Sequence, residues 1–155
     1  MIHGCKSAAA CLEDFYTRFA DDALVIDKWF ALQSSRPPVA NAESTLSEVK
    51  RLREHEAFKM NNPNRVRSVI HAFCMNNPAS FHQVDGSGYA FWAESVLALD
   101  RINPQVAARL ARGLDRWRQF APMYQEQMLS ALRQVAACET LSADVKEVVS
   151  KALGN

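Results

Sequence analysis

Apolar residues recur along most of this chain at the three- and four-residue spacing of amphipathic helices. In the first stretch, Cys11 and Leu12 are followed at this spacing by Phe15 and Phe19, so they share one face of a helix that begins near Ser7. The pattern continues to the end of the chain and predicts about eight helices, most of them about 10 to 17 residues long. The expected core positions of the later helices are Val25, Ile26, Trp29, Phe30, Gln33; Leu46, Val49, Leu52; Val66, Val69, Ile70, Phe73, Cys74; Tyr89, Trp92, Val96, Leu99; Val106, Leu110, Leu114, Trp117; Met128, Leu132, Val135; Val145, Val148, Val149 and Ala152.

Polar residues and prolines mark where these helices begin and end. Asp22 is placed to cap the second helix, because its carboxylate can accept the free backbone N–H groups of the first turn. Pro37-Pro38 must end that helix, since proline lacks the N–H and restricts the residue before it. Asn103-Pro104 has the form of an N-cap followed by a first helical residue, and Ser142 is expected to cap the last helix.

The middle of the chain carries the segment Asn61–Arg67, with the sequence NNPNRVR, between two blocks of helical pattern. Its two arginines, Arg65 and Arg67, stand where a fourth helix is predicted to run from about Asn64 to Met75. We interpret this segment as a hinge between the two halves.

Short links between helices place neighbours antiparallel, and stacked pairs of this length are typical of HEAT or armadillo solenoids. The predicted fold is therefore all-α, with about eight antiparallel helices in a HEAT/armadillo-like α-α superhelix. The three Asn-Pro pairs, at Asn62, Asn77 and Asn103, are unequally spaced, so no fixed repeat period supports this prediction. Residues 1–155 are expected to form a single all-helical segment.

The composition excludes several classes of protein. Of the 155 residues, 48% are hydrophobic and 23% charged, as in ordinary globular proteins, and the net charge of +1 favours neither nucleic acid nor an anionic membrane as partner. The four cysteines form no C-x-x-C pair, so we expect reduced thiols and a cytoplasmic location. Charged residues interrupt the first twenty positions, and no apolar run is long enough to cross a bilayer. Whether Met1 is the native start or a fragment boundary stays open.

The motifs that come nearest to catalysis all fail. In the segment His55–Lys59 the lysine stands where the zinc-peptidase motif H-E-x-x-H needs its second histidine, so His55 is expected to face solvent. Gly86 and Gly88 flank a serine, but the spacing matches neither a nucleophile elbow nor a phosphate-binding loop. These glycines predict a turn with left-handed backbone or close backbone approach. The residues thus indicate no catalytic group, metal ligand or cofactor site.

Two arginines remain as candidate ligand contacts. Arg109, Arg112 and Arg116 share one helix face, which is ordinarily a solvated face with local ion pairs. Arg109, however, adjoins Leu110 at the edge of the apolar stripe, from which a guanidinium can reach a cleft and bind a carboxylate. Arg67 is placed similarly on the fourth helix. His71 lies beside the inward face of that helix and is expected to be a partly buried histidine.

Several segments resemble, in the same order, the C-terminal part of bacterial aminopeptidase N, the alanyl aminopeptidases of the gluzincin class. The resemblance spans nearly the whole chain from about Cys11. The segments are LVIDKWFALQ at 24–33, NPNRVRS at 62–68, NPASFH at 77–82, DGSGY at 85–89, NPQVA at 103–107, LS at 141–142 and KAL at 151–153.

The resemblance implies a function for this chain within a larger zinc metallopeptidase. In that family the C-terminal domain is a helical superhelix that packs over a separate zinc-bearing catalytic domain and closes the peptide-binding chamber. The chain would correspond to the last part of this domain, without catalytic activity of its own, and its partners would be that catalytic domain and the peptide substrate. The resemblance places Arg67, Gln105 and Arg109 at the chamber, near the C-terminal portion of the peptide. It also implies an exposed apolar patch where further helices would pack.

A second hypothesis comes from a different class of protein. The chain could be a stand-alone HEAT-like adaptor that binds a partner helix or peptide on a concave, partly apolar surface.

Overall fold

The computed structural model describes residues 7–154, and all regular secondary structure within them is helical. The nine helices of this part of the chain are α1 (Ala8–Phe19), α2 (Ala23–Ser34), α3 (Thr45–Glu54), α4 (63–76), α5 (Pro78–Phe81), α6 (Ser87–Asp100), α7 (Pro104–Ala111), α8 (Pro122–Ala136) and α9 (Ala143–Leu153). Two short 3-10 turns, Arg112–Leu114 and Trp117–Gln119, join α7 to α8. The prediction of about eight helices is confirmed, and α5 is an additional single turn.

Side-chain caps fix the starts of most helices. The carboxylate of Asp22 accepts the backbone N–H groups of Leu24 and Val25 at 3.0 and 3.1 Å. The Asn103 side chain accepts the Val106 N–H at 3.2 Å at the start of α7. Each acceptor satisfies a donor that has no partner within its own helix, as the sequence predicted.

The cap of α9 is tied to a second helix. The Ser142 hydroxyl accepts the Val145 N–H at 3.3 Å and donates to the carboxylate of Asp100 at the end of α6. The same carboxylate accepts the Ser142 N–H at 2.8 Å. This predicted cap therefore also fixes where α9 begins relative to α6.

The apolar stripes of α2 to α9 merge into one core. Its largest fully buried side chains, all less than 2% exposed, are Trp92, Tyr89, Phe30, Phe73, Phe81, Phe91, Ile26, Ile70, Leu99, Leu110, Leu114 and Met128. The first helix differs, because it contains no buried residue. Phe15 and Phe19 on its predicted inner face are 37% and 42% exposed, whereas Leu12 and Tyr16 are partly buried against the core.

Helix α4 is not the uninterrupted α-helix that the sequence predicts. It begins as Pro63–Val66, widens into a π-helical turn at Arg67–His71, and ends as Ala72–Asn76. Such π-helical turns inside α-helices are rare and occur frequently at functional sites. The turn packs against α2 and α3, so its altered spacing decides which residues of α4 face outward.

The helix that begins at Pro104 is shorter than predicted. Its α-helical part ends at Ala111, so Leu114 and Trp117 lie on the two 3-10 turns that follow. Gly113 interrupts the helical stretch, and glycine is among the weakest helix formers. A β-carbon there would lie 2.8 Å from the Met75 sulfur, so a larger residue would require the flexible Met75 side chain to move.

Gly86 and Gly88 show the left-handed backbone and the close backbone approach that were predicted for this loop. Gly86 has a positive φ of 72°, which is the left-handed backbone. Gly88 is buried, and a β-carbon at this position would overlap the carbonyl oxygen of Phe81. Both predictions for this loop are confirmed.

The central segment was interpreted as a hinge, but its Arg65 is buried and bonded to other parts of the fold. Its guanidinium donates to the carbonyl oxygens of Ala57 and Ala23 at 3.0 and 2.9 Å and forms an ion pair with Asp27 on α2. The same group lies 5.7 Å from the centre of the Phe30 ring. The segment is therefore a structural clamp that joins α2, the link after α3, and α4.

The prediction that His55 faces solvent is wrong. It ends α3 and is half-buried in an aromatic cluster, with ring centres 4.8 Å from Tyr16, 5.2 Å from Trp29 and 5.6 Å from Phe30. Its Nδ1 accepts the Ala57 N–H at 3.1 Å. The aromatic partners come from α1 and α2, and spacing along α3 alone could not identify them.

The cysteines are not all reduced thiols. Cys11 is disulfide-bonded, whereas Cys74 and Cys138 are free. The expectation of reduced thiols is therefore wrong for Cys11, and Cys5 lies outside the described residues. Burial raises the pKa of the Cys74 thiol, so this cysteine is a small apolar core residue, as predicted.

Within residues 7–154, none of the helices combines the length and hydrophobicity that crossing a membrane requires.

Candidate functional site

The predicted site residues lie on two helices, Arg67 on α4 and Gln105 and Arg109 on α7. Gln105 and Arg109 are four positions apart, and Arg67 stands four positions before His71, which was not a predicted site residue. Residues four apart lie above one another on one helix face, so each helix presents one polar stripe. Arg67, Gln105 and Arg109 are all exposed, whereas His71 is half-buried.

His71 lies at the junction of the two stripes. Its imidazole contacts the backbone of Val106, which adjoins Gln105 in the first turn of α7, and both Arg67 and Arg109 act on it electrostatically. We refer to Arg67, His71 and Arg109 as the basic cluster. The structure thus brings together two arginines that are far apart in the sequence, together with a histidine that the sequence did not assign to the site.

The surrounding structure fixes both helices. Asn62 caps α4 by accepting the Asn64 N–H at 3.0 Å. On the other side, the buried Trp92 of α6 donates its indole N–H to the Leu110 carbonyl of α7 at 2.9 Å. That bond lies one residue after Arg109, so core packing sets the position of the exposed guanidinium.

The basic cluster holds positive charge without a counter-ion. Three arginines of the described chain form ion pairs, namely Arg18 with Asp14, Arg51 with Glu48 and Arg65 with Asp27. Arg67 instead donates to the neutral side-chain oxygen of Asn64 at 3.1 Å. Within residues 7–154, no carboxylate lies within ion-pair distance of Arg67 or Arg109.

The pKa of His71 is lowered by burial and, to a smaller extent, by these charges. Burial lowers the pKa of its imidazole most, the contact with the Val106 backbone opposes the shift, and the charges of Arg67 and Arg109 lower the pKa further. An exposed histidine becomes protonated as the pH falls below about 6.5. Because the pKa of His71 is lower than that, its imidazole is mainly neutral at pH about 7. With exposed guanidinium donors beside it, the cluster is suited to bind an anion or a row of carbonyl oxygens.

The other predicted site features are less well placed. Gln105 is exposed on α7 and makes no hydrogen bond to any described residue, so the structure leaves its side chain available without orienting it. Arg112 and Arg116 are not part of the basic cluster, and the charge of Arg112 instead acts on Asp115. The sequence contained one signal for His71, its position four residues after Arg67, but spacing alone could not show that α7 faces it.

A second polar contact involves His82, which the structure uses to close the loop before α6. Its Nδ1 lies 2.8 Å from the hydroxyl of the buried Tyr89, and its ring centre is 4.7 Å from that of Phe120. Burial lowers the pKa of His82 and raises that of Tyr89 to about 12. This contact joins α6 to the link before α8 and contributes to stability.

We expect the free energy of unfolding to decrease as the pH is lowered from about 7 to about 5. The folded-state pKa values of His71 and His82 both lie below the ordinary 6.5, so the unfolded chain binds more protons in this interval and stability rises with pH. Urea unfolding at several pH values measures the slope. The variant His82→Gln should show a smaller slope than the original protein, and an unchanged slope would contradict the contribution of His82.

The first two helices carry an exposed apolar groove of about 550 Å³. Its apolar lining includes Phe15, Phe19, Trp29 and Leu32, and the charged side chains of Asp14, Arg18 and Lys28 also line it. Leu32 is 60% exposed, and the neighbouring Leu24 is 69% exposed. Phe15, Phe19 and Leu32 thus form an exposed apolar surface on α1 and α2 that is suited to pack against a further helix. The resemblance implies an apolar patch of this kind.

Comparison with known proteins identifies the family. The model of one family, described as "Domain of unknown function (DUF3458_C) ARM repeats", matches residues 1–154. The ARM-repeat description agrees with the observed helices and confirms the predicted helical superhelix.

Named relatives agree with this assignment. The chain is 43% identical to aminopeptidase N of Escherichia coli over 144 residues, which are 93% of this chain and 16% of that protein. It is 41% identical to aminopeptidase N of Haemophilus influenzae over 152 residues, covering 96% of this chain and 17% of the relative. The chain therefore spans about one sixth of the length of these relatives.

A solved structure has the same fold. It is the crystal structure of Legionella pneumophila aminopeptidase A in complex with aspartic acid, with a TM-score of 0.86 and 32% identity. The similarity covers 97% of this chain and 17% of that chain. This chain therefore belongs to the DUF3458_C family of ARM-repeat domains, and it is homologous to the C-terminal helical part of bacterial aminopeptidase N.

Proposed function

We propose that this chain is the C-terminal part of the helical domain of a zinc-dependent aminopeptidase N, where it caps the catalytic domain and helps to form the peptide-binding chamber. The observation that carries the proposal is the 43% identity to E. coli aminopeptidase N across 93% of this chain. The basic cluster supports the role in the chamber, since its arginines have no counter-ion within residues 7–154.

In this proposal the peptide substrate extends from the catalytic domain to α4 and α7. Its C-terminal portion carries carbonyl oxygens and a carboxylate, and the guanidinium groups of Arg67 and Arg109 donate to both. Gln105 adds a neutral donor and acceptor on the same face of α7 as Arg109. Their contribution to the reaction is to hold the distal end of the peptide, so that the first peptide bond stays correctly oriented.

Catalysis itself belongs to another part of the proposed parent protein. Bound zinc there would activate the water that attacks the first peptide bond. Within residues 7–154, no group of three or more His, Cys, Asp or Glu side chains is placed to hold a metal ion. The donor groups described for this chain do not fit zinc, so no chemical step is assigned to them.

The apolar groove between α1 and α2 supports the view that the chain is one part of a larger helical domain. A terminal repeat of a solenoid normally presents a polar outer face, because it has no neighbour to cover apolar side chains. Helix α9 has such a face, with Lys146, Glu147 and Lys151 exposed. Helix α1 exposes Phe15 and Phe19 instead, as expected of a repeat that packs against a preceding one.

A chimeric enzyme tests the proposed function. The matched segment of E. coli aminopeptidase N is replaced by this chain, and hydrolysis of tetrapeptides is compared with that of a single-residue alanyl amide. We expect Arg67→Ala and Arg109→Ala each to raise KM for the tetrapeptide by about 10-fold, since each removes a charge-assisted contact. The single-residue amide does not reach these arginines, so its KM should stay within about 2-fold.

The control for this experiment is Arg133→Ala, which removes an exposed arginine of α8 outside the basic cluster. It should change neither substrate. Equal effects of the cluster variants on both substrates would show that the arginines are structural, and hydrolysis of the alanyl amide by this chain alone with added zinc would contradict the assignment of catalysis to another domain.

The proposal also includes a cytoplasmic location, with neither nucleic acid nor a membrane as partner. The net charge of +1 supports the exclusion of these polyanionic partners. The disulfide at Cys11 speaks against the location, because stable disulfides are rare in that compartment. Mass spectrometry of alkylated protein from fresh cells distinguishes the two states of this cysteine.

The stand-alone adaptor remains the alternative. It would use the same apolar groove for a partner helix, so the groove alone does not separate the hypotheses. The homology to aminopeptidases favours the first one. The reading frame around the codon for Met1 discriminates directly, because an upstream frame with an H-E-x-x-H motif belongs to a zinc peptidase.

A further inference from the structure

A second groove of about 550 Å³ borders α1, and the proposed function gives it no role. It shares Leu12 and Trp29 with the apolar groove, but polar side chains from α1, α2 and α3 line much of it. We refer to it as the polar groove, defined by Glu13, Tyr16, Trp29, Gln33, Glu48 and His55. We propose that this groove binds an arginine side chain presented by a further segment of polypeptide. The inference does not depend on the proposed function, because the groove lies outside the basic cluster.

Gln33 supplies the groove with a hydrogen-bond acceptor that has no donor. Its side chain lines the groove and is only 8% exposed. The side-chain N–H donates to the Trp29 carbonyl at 3.0 Å, which leaves the amide oxygen Oε1 as the free end. Within residues 7–154, no N–H or O–H group donates to this oxygen. A largely buried acceptor without a donor costs free energy, so the groove favours a ligand that carries N–H groups.

The two cations that line the groove are already engaged. Arg51 forms ion pairs with the carboxylates of Glu43, at 3.2 Å, and of Glu48. Arg36 donates to the backbone carbonyl of Glu43 at 3.1 Å. The groove therefore lacks a guanidinium of its own for the free acceptor.

Carboxylates outnumber these cations in and beside the groove. Glu13 has no ion-pair partner among residues 7–154, and Glu56 accepts the hydroxyl of Tyr16 at 3.2 Å. Together with Glu43 and Glu48, four carboxylates lie against two guanidinium groups. The local charge is therefore negative, and an incoming cation is complementary to it.

Aromatic rings give the groove a surface on which a planar cation can stack. The ring centre of Tyr16 lies 5.0 Å from that of Trp29 and 4.8 Å from that of His55. Ala8 and Ala9 add an apolar wall, which suits the methylene stem of a long side chain. Guanidinium groups stack on aromatic rings and are more weakly hydrated than ammonium groups.

Arginine is the natural side chain that combines these properties. Its planar head carries five N–H donors, so it can donate to the Gln33 oxygen and to the Glu13 carboxylate at the same time. Lysine has a similar stem, but its ammonium is a compact, strongly hydrated charge that does not stack in this way. A neutral amide side chain would leave the negative charge of the groove uncompensated.

Binding of N-acetyl-argininamide to the full chain tests the inference, and N-acetyl-citrullinamide provides a neutral probe of similar shape. The Trp29 indole N–H donates to the Leu12 carbonyl at 2.9 Å beside the groove, so its NMR resonance reports occupation. The indole N–H groups of Trp92 and Trp117 bond elsewhere and serve as internal references. We expect a saturable shift at Trp29 alone, with an affinity about 10-fold higher for the arginine probe.

Variants of the groove separate its two polar contacts. Glu13→Gln removes an exposed carboxylate and should weaken binding of the arginine probe about 3-fold, while binding of the citrulline probe stays within about 2-fold. Gln33→Met removes the acceptor and should weaken binding of both probes. The control Glu147→Gln removes an exposed carboxylate of α9 and should change neither. The two glutamate variants keep the test decisive if Gln33→Met does not fold.

Several results would overturn the inference. Equal affinities for the arginine and citrulline probes would contradict recognition of a cation, and equally tight binding of N-acetyl-lysinamide would contradict recognition of a guanidinium. Binding of N-acetyl-norleucinamide with the same affinity would show that the groove selects only an apolar stem. Absence of a saturable shift at Trp29 would rule out the site. The proposed function is tested separately, by the tetrapeptide KM of the chimeric enzyme.

Discussion

Replacing Arg65 by alanine is expected to lower the free energy of unfolding by about 3 kcal/mol or more. The guanidinium is buried, donates to the Ala57 and Ala23 carbonyl oxygens, and pairs with the partly buried carboxylate of Asp27. Its removal leaves that carboxylate without its ion-pair partner and takes one donor from each of the two carbonyl oxygens. Urea unfolding followed by circular dichroism measures the change, and the slope with denaturant should stay similar.

Arg67 provides the matched control, because it lies two residues further along the same segment and is exposed. The variant Arg67→Ala should change the free energy of unfolding by less than about 0.5 kcal/mol, as is usual for surface substitutions. Equal losses for the two variants would contradict the division into a structural Arg65 and an exposed Arg67 that is proposed to bind the peptide. The comparison therefore separates an arginine that stabilises the fold from an exposed arginine two residues away.

Replacing Trp92 by alanine is expected to cost about 3 to 5 kcal/mol of stability. The side chain is fully buried in α6, and its indole N–H donates to the Leu110 carbonyl at 2.9 Å. The variant creates a large cavity and removes the indole donor from the buried Leu110 carbonyl. Thermal and urea unfolding measure the loss.

The Trp92→Ala substitution should also change the position of Arg109 in the basic cluster, because the Trp92 indole bonds to α7 at the neighbouring Leu110. The milder variant Trp92→Phe retains most of the packing and loses the hydrogen bond, so about 1 to 3 kcal/mol is expected. Phe19→Ala removes an aromatic ring that is 42% exposed and should cost less than about 1 kcal/mol. A comparable loss for Phe19→Ala and Trp92→Ala would contradict the core assignment.

The local structure of this chain follows closely from its sequence. Helix starts depend on interactions within three residues, so Asp22, Asn103 and Ser142 could be identified as caps from spacing alone. The apolar stripes of α2 to α9 also identified the core, because a helix has a fixed periodicity. The resemblance to the aminopeptidase N family added a direction, namely that Arg67, Gln105 and Arg109 belong to one surface.

Helix caps and apolar periodicity did not determine which distant segments contact one another. His55 was expected to face solvent, but it is half-buried by Tyr16 and Trp29 from two other helices. Phe15 and Phe19 share the predicted apolar face, yet the described chain provides no helix to cover them. In both cases burial depends on what packs opposite, and helical periodicity contains no information about that partner.

The central segment shows the difference most directly. The sequence by itself determined that a helix begins there after a proline and that it carries two arginines. Only the tertiary structure decided that Arg65 pairs with Asp27 inside the protein, that Arg67 lies at the surface, and that His71 meets α7. The physical reason is that a helix start is a local property, whereas the environment of a charge depends on residues about forty positions away that only folding brings near.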